Sequence, residues 1–127
     1  MNKFTEKDMV EALQAIDSMI NRTEKTKLAQ GTSQHTLQKN RLEALHIASA
    51  LISKRLTESN ALDYYTEEDL KNAIAPIASL ISKSEKSQAK LAQGTWQHTM
   101  LNNNLKALHI ALPLLTKELS EINAEIK

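Results

Sequence analysis

Two stretches of the chain carry apolar residues at alternating steps of three and four. The residues are Met9, Leu13, Ile16 and Ile20 in the first stretch, and Leu70, Ile74, Ile77 and Ile81 in the second. This spacing is typical of an amphipathic helix with one buried face. It predicts two helices of about five turns each.

Both helices have a predicted start. Thr5 stands three residues before Asp8, and Thr66 stands three residues before Asp69. A hydroxyl and a carboxylate at this spacing form a capping box, in which each side chain binds a free backbone N–H group. The first helix should therefore begin after Thr5 and the other after Thr66.

The chain contains an internal repeat. Residues 27–56 and 90–119 are identical at 19 of 30 positions with an offset of 63, and residues 4–25 and 65–86 at 9 of 22 with an offset of 61. The second copy thus has 63 − 61 = 2 extra residues, near Ser87–Ala89. Two residues inserted within a helix would rotate its apolar stripe by about 200°, so we expect the insertion in a loop.

The copies share a predicted turn and a second helix. Gly31 and Gly94 occupy equivalent positions, and Thr32 and Thr95 follow them as predicted caps. The second helices are predicted to run to about residues 58 and 121. One broad arc of the earlier of them carries the expected core residues Leu37, Ala44, Leu45, Ala48, Leu51 and Ile52.

These elements predict an all-α fold. Two hairpins, each with one apolar face, favour a four-helix up-down-up-down bundle of two tandem, pseudo-twofold-related helical hairpins. The single domain would span residues 1–127, with repeats at about 4–60 and 65–127. The alternative is an open, solenoid-like pair of hairpins that buries its outer face against another chain.

Composition excludes several classes of protein. The 127 residues contain no cysteine and carry a formal net charge of +1, which excludes disulfides and thiolate sites and favours the cytoplasm. No segment has the length of apolar sequence that a membrane span needs. Aromatic residues are 3% of the chain, and without a basic patch nucleic acid is an unsuitable partner. We expect neither membrane nor nucleic-acid binding.

Four histidines lie outside the apolar arcs. His35 and His46 are eleven residues apart, which puts them on one helix face about 16 Å from each other, and His98 and His109 repeat the arrangement. Three interpretations stay open: packing through a hydrogen bond, a partner or oligomer surface, and a metal or catalytic site. A di-iron site is rejected, because Lys106 replaces the glutamate that the motif needs before His109. No cofactor is expected.

The Gly-Thr turns allow a second kind of site. Free N–H groups at the start of each second helix, with Lys27 or Lys90 and His35 or His98 nearby, would suit an anion. The structural alternative is an ordinary glycine turn followed by a threonine cap, without a ligand.

The second copy departs from the first at three notable positions. Trp96 replaces Ser33 and is expected to pack locally over the turn, with an exposed anchor for a partner as the alternative. Pro76 and Pro113 are interior to predicted helices and should kink them. Because the two prolines would be level in a hairpin, we expect a coordinated bend that opens a groove beside His109.

We expect a non-enzymatic protein with an interaction or regulatory role that binds a protein partner or a second copy of itself. The alternative is a protein, including an enzyme, that binds a small ligand, an anion or a metal at a histidine-lined site between the repeats. The candidate binding residues are His35, His46, His98, His109, Gln34, Gln97, Lys27, Lys90, Thr32, Thr95 and Trp96.

Overall fold

The structure is a computed structural model that describes residues 5–25, 31–57 and 64–126, with side chains described as far as residue 122. Four helices account for most of these residues, and no strand occurs among them. The helices are α1 (Glu6–Lys25), α2 (Ser33–Thr57), α3 (Glu67–Ala89) and α4 (Trp96–Ile126). The all-α prediction is confirmed.

The first helix of each repeat begins at a capping box. The Thr66 hydroxyl accepts a hydrogen bond from the Asp69 N–H at 3.1 Å, and the Asp69 carboxylate accepts one from the Thr66 N–H at 2.9 Å. Thr5 and Asp8 form the same reciprocal pair at 3.1 and 3.0 Å. These bonds satisfy N–H groups that have no partner within the helix.

The helices pack as a bundle in which one diagonal pair, α2 and α4, is in close contact. Helix α2 packs closely against α1, α3 and α4, and α4 packs against α1 and α3 as well, whereas no Cα atoms of the described residues of α1 and α3 approach within 8 Å. Small buried side chains on α2 and α4 suit this close approach: Ala44, Ala48, Ala107 and Ala111 are at most 1% exposed. The second helices of the two repeats therefore form the centre of the molecule.

The core confirms the predicted apolar stripes of α1 and α3. Their residues are buried, apart from Leu13 and Ile74, which are partly buried and pack against the core. The arc predicted for α2 is buried except at Leu37, which is 41% exposed. That prediction is wrong because α3 presents the short side chains of Ala75 and Ser79 to this part of α2 and leaves an open groove.

The insertion of the second repeat does not form a loop. Ser87–Ala89 make up the last turn of α3. The two extra residues do not turn an apolar stripe away from the core, because Ile81 is the last buried residue of α3 and no apolar stripe follows it. Helix α4 also extends beyond the predicted end at residue 121, to Ile126.

Both internal prolines lie within continuous helices. Helix α3 runs through Pro76 and α4 runs through Pro113. The Thr116 hydroxyl donates a hydrogen bond to the Pro113 carbonyl at 3.0 Å. Because proline has no N–H group, the carbonyl of His109, one turn earlier, lacks its usual helical donor. Pro76 lines a groove between α2 and α3, and His109 does not contribute to that groove. The coordinated bend stays a prediction.

Within the described ranges, no helix combines the length and the apolar character that crossing a membrane requires.

Candidate functional site

The two Gly-Thr turns have the same geometry. Gly31 has a φ of 85° and Gly94 a φ of 89°, a left-handed conformation that favours glycine. The hydroxyl of the following threonine then accepts the N–H of the histidine three residues on, at 3.1 Å for His35 and 3.2 Å for His98. One N–H group of each predicted anion site is therefore already bound by a cap.

The candidate lysines and glutamines beside these turns are exposed wherever the structure describes them. Lys90 is exposed, as are Gln34 and Gln97, while Lys27 lies outside the described residues. The N–H of Lys90 itself is bound by the Ser87 carbonyl at 3.2 Å. The anion site stays a prediction.

The other two histidines lie beside equivalent glutamates. His46 Nε2 lies 4.0 Å from a carboxylate oxygen of Glu24, and His109 Nε2 lies 4.0 Å from one of Glu85. Each pair joins the first and second helix of one repeat. Because about half of every side chain involved is exposed, screening by water makes these weak surface contacts.

The histidines do not converge on one point. His35 is half-buried and lines a shallow cleft of about 390 Å³ with Glu24, Gln38 and Lys39. His46 faces α1, whereas His109 faces α3. Over the described part of the chain, no three residues among the histidines and carboxylates are arranged to hold a metal ion. The histidine-lined ligand site expected between the repeats stays a prediction.

Two grooves lie between helices of different repeats instead. The α1/α4 groove has a volume of about 540 Å³, and its lining includes Asp8, Ala15, Arg22, Trp96, Met100 and Lys106. The α2/α3 groove has a volume of about 500 Å³, and its lining includes Leu37, Glu43, Ile47, Asp69, Pro76 and Ser79. The repeat offsets of 61 and 63 map ten lining residues of one groove onto ten of the other, so the two grooves are largely equivalent surfaces.

The grooves differ in charge at two equivalent positions, Glu11 against Asn72 and Lys106 against Glu43, and Arg22 lines only the α1/α4 groove. In the α1/α4 groove, Lys106 Nζ lies 3.2 Å from Asp8 Oδ1, while Asp8 Oδ2 accepts the Thr5 N–H. This N–H, followed by the Lys106 ammonium, holds the pKa of Asp8 below its usual value of 3.8. In the α2/α3 groove, Glu43 takes the place of Lys106 opposite Asp69.

Tyr65 lies beside the α2/α3 groove, and the carboxylates of the groove contribute to the pKa of its hydroxyl. Burial raises the pKa of the Tyr65 hydroxyl, and the neighbouring Tyr64, Asp69 and Glu43 raise it further. The Tyr65 ring also packs edge-on against Tyr64, with ring centres 5.4 Å apart. Tyr65 thus packs over the start of α3, close to both acidic side chains of the groove.

Trp96 occupies the mouth of the α1/α4 groove. It is the first residue of α4 and is 70% exposed, so the expected packing over the turn is wrong. Arg22 and Met100 line the same groove, and Arg22 Nη1 donates a hydrogen bond to Met100 Sδ at 2.6 Å. The equivalent residue of the first repeat is Ser33, and the large aromatic surface is therefore a property of this groove.

Two polar residues inside the bundle were not anticipated. Asn104 is 6% exposed, and Arg41 buries Nε and Nη2 without a hydrogen-bond partner for either. They are equivalent residues, since 104 − 41 = 63. A polar residue at the same core-facing position of both repeats is the signal that would have identified them.

Comparisons of the chain with protein-family models, with curated proteins and with solved structures give no match. The two grooves and their charges are consequently the main guide to function.

Proposed function

We propose that the protein is a non-enzymatic interaction protein that binds a segment of a protein partner in the α1/α4 groove, with Trp96 as the anchor. The observation that carries this proposal is the 70% exposure of Trp96 at the mouth of a groove of about 540 Å³. A cytoplasmic role fits the sequence without cysteine.

The groove has the dimensions of a peptide site. Its lining extends from Asp8 to Arg22 along α1, a length of about 21 Å at 1.5 Å per residue. Aromatic side chains bury a large area at low entropic cost, so they are enriched among the residues that dominate interface energies. The exposed indole of Trp96 would therefore become buried only when a partner binds.

The charged groups of this groove support specificity more than affinity. Arg22 lies near Trp96 along the lining, while Asp8 and Lys106 already neutralise each other at 3.2 Å. Charges at the rim of an interface mainly select the partner and its orientation. By contrast, His46 and His109 lie on exposed faces, beside Glu24 and Glu85 respectively.

The proposal includes the arrangement of the repeats, an up-down-up-down bundle with a pseudo-twofold axis. Equivalent capping boxes, His–Glu pairs and grooves support it. This symmetry would place one groove on each of two opposite sides of the molecule. The divergence of Trp96 from Ser33 would then give the two grooves different partners.

The test uses the fluorescence of Trp96, which is the sole tryptophan of the chain. Peptides selected on the wild-type protein from a displayed random library are titrated into it while the emission spectrum is recorded. We expect a shift of the emission to shorter wavelength as the indole leaves water. We also expect Trp96→Ser, which restores the residue of the first repeat, to weaken binding at least tenfold.

The matched control is Tyr64→Ser, which removes a different aromatic side chain that is 86% exposed. It should leave both the affinity and the spectral shift unchanged. Peptides that bind Trp96→Ser as tightly as the wild type, or that leave the emission unchanged, would contradict the proposal. Sedimentation velocity across a concentration series identifies a second copy of the chain as the occupant if the mass rises only in the presence of Trp96.

A further inference from the structure

The α2/α3 groove has an incomplete ion pair. Asp69 Oδ2 accepts the Thr66 N–H at 2.9 Å, as Asp8 Oδ2 accepts that of Thr5. The other oxygen of Asp8 binds the Lys106 ammonium at 3.2 Å. The other oxygen of Asp69 has no hydrogen bond or ion pair within the described residues, because Glu43 stands where the lysine would be.

The two grooves thus act as an internal comparison of one site with and without its cation. In the α1/α4 groove an ammonium from α4 reaches the carboxylate at the start of α1. In the α2/α3 groove the equivalent carboxylate and Glu43 place two negative charges on the lining, with no cationic residue among the lining residues. An external ammonium or guanidinium would complete the same interaction.

Apolar surface accompanies these charges. Leu37 is 41% exposed at one end of the lining, and half-buried Pro76 lines the groove as well. The lining spans eleven residues of each helix, from Asp69 to Ser79 on α3, or about 15 Å between the two ends. This length matches three turns of a helix laid into the groove.

We propose that the α2/α3 groove binds a basic amphipathic segment of a protein partner, with a lysine or arginine of that segment placed between Glu43 and Asp69 as Lys106 is placed on Asp8. The segment lays apolar side chains against Leu37 and Pro76. This inference rests on the proposed role as an interaction protein, but it involves a different groove from that of Trp96.

The test uses two synthetic peptides of 14 residues that share one leucine face, with lysines on the other face of the first peptide and glutamates on that of the second. Isothermal titration calorimetry measures affinity and stoichiometry with the full-length protein. We expect the lysine peptide to bind at a single site, more weakly as salt increases, and the glutamate peptide not to bind.

Substitutions at the two equivalent positions decide the inference. Glu43→Lys supplies the missing cation from within the chain, and Glu43→Gln removes one negative charge without adding a positive one. We expect an affinity loss of at least tenfold in the first variant and a smaller loss in the second. Lys106→Glu recreates the acidic pair in the α1/α4 groove, and the number of bound lysine peptides should rise from one to two.

The matched control is Glu121→Lys, which makes the same change of charge on an exposed residue that lines neither groove. It should bind the lysine peptide like the wild type. Circular dichroism establishes that every variant keeps its helices. Trp96→Ser should also leave this binding unchanged, so failure of the Trp96 groove and failure of this inference are distinguishable.

Three results would overturn the inference. The first is equal binding of the lysine peptide to Glu43→Lys and the wild type, which indicates attraction by the general surface. The second is an unchanged stoichiometry in Lys106→Glu, which removes the argument from the equivalent groove. The third is a dimer of the wild type that Glu43→Lys dissociates, which makes a second copy the occupant.

Discussion

Replacing Arg41 by methionine should stabilise the protein. Arg41 Nε and Nη2 are both buried, and neither has a hydrogen-bond partner. Burial takes these N–H groups out of water without returning a protein acceptor, which costs about 1–3 kcal/mol for each unsatisfied group. Methionine keeps an unbranched side chain that reaches as far as Nε of arginine and has a similar helix propensity, so the packing of the aliphatic part is retained.

The magnitude follows from those two atoms. Relief of both would contribute about 2–6 kcal/mol, from which the lost contacts of the guanidinium carbon and the lost hydration of the remaining nitrogen must be subtracted. We therefore expect a net increase of about 1–3 kcal/mol in the free energy of unfolding. With an unfolding entropy of about 2.1 cal/mol/K per residue, this corresponds to a rise in Tm of roughly 4–11 °C.

The assay is urea unfolding followed by far-UV circular dichroism, together with thermal unfolding, at fixed pH and salt. Arg55→Met is the matched control, because Arg55 lies in the same helix and is exposed. Its unfolding free energy should change by less than about 0.5 kcal/mol. Destabilisation of Arg41→Met relative to this control would refute the reasoning, since it would mean that the buried guanidinium makes favourable interactions.

Two further predictions concern the turn and the capping box. Gly94→Ala should lower the free energy of unfolding by about 1–2 kcal/mol, because an L residue is strained at a φ of 89° although no atom lies within 4 Å of the added Cβ. Urea unfolding measures this change, with Lys90→Ala as a neutral control. Equal stability of Gly94→Ala and the wild type would contradict the prediction. Lys106→Met should raise the pKa of Asp8 in an NMR titration but leave it below 3.8, because the capping N–H is the larger cause of the lowered value. Since the pKa of Asp8 is lowered on folding, its contribution to stability is present above pH 3.8 and is lost as the pH falls through the folded-state pKa; an unchanged pKa in Lys106→Met would show that the ammonium has no part in it.

Sequence patterns located the grooves less well than the helices. The step of three and four identifies a buried face wherever a neighbouring helix covers it, which holds for Ile16 and Ile77 at 0% exposure. It failed at Leu37, because the exposure of that residue depends on the small side chains of a helix far away in the chain. The histidines kept their identity in both repeats, yet His46 and His109 make only weak surface contacts, while the grooves combine retained residues such as Asp8 and Asp69 with diverged ones such as Lys106 and Glu43.

The sequence by itself determined the helices, their capping boxes and the repeat, because these depend on contacts within three or four residues and on comparison of the chain with itself. Tertiary structure alone decided which equivalent positions face each other across the bundle. The pairing of Lys106 with Asp8 joins residues 98 positions apart, and the exposure of Trp96 depends on the groove that α1 and α4 form. Such contacts arise from the packing of whole helices, which no local spacing records.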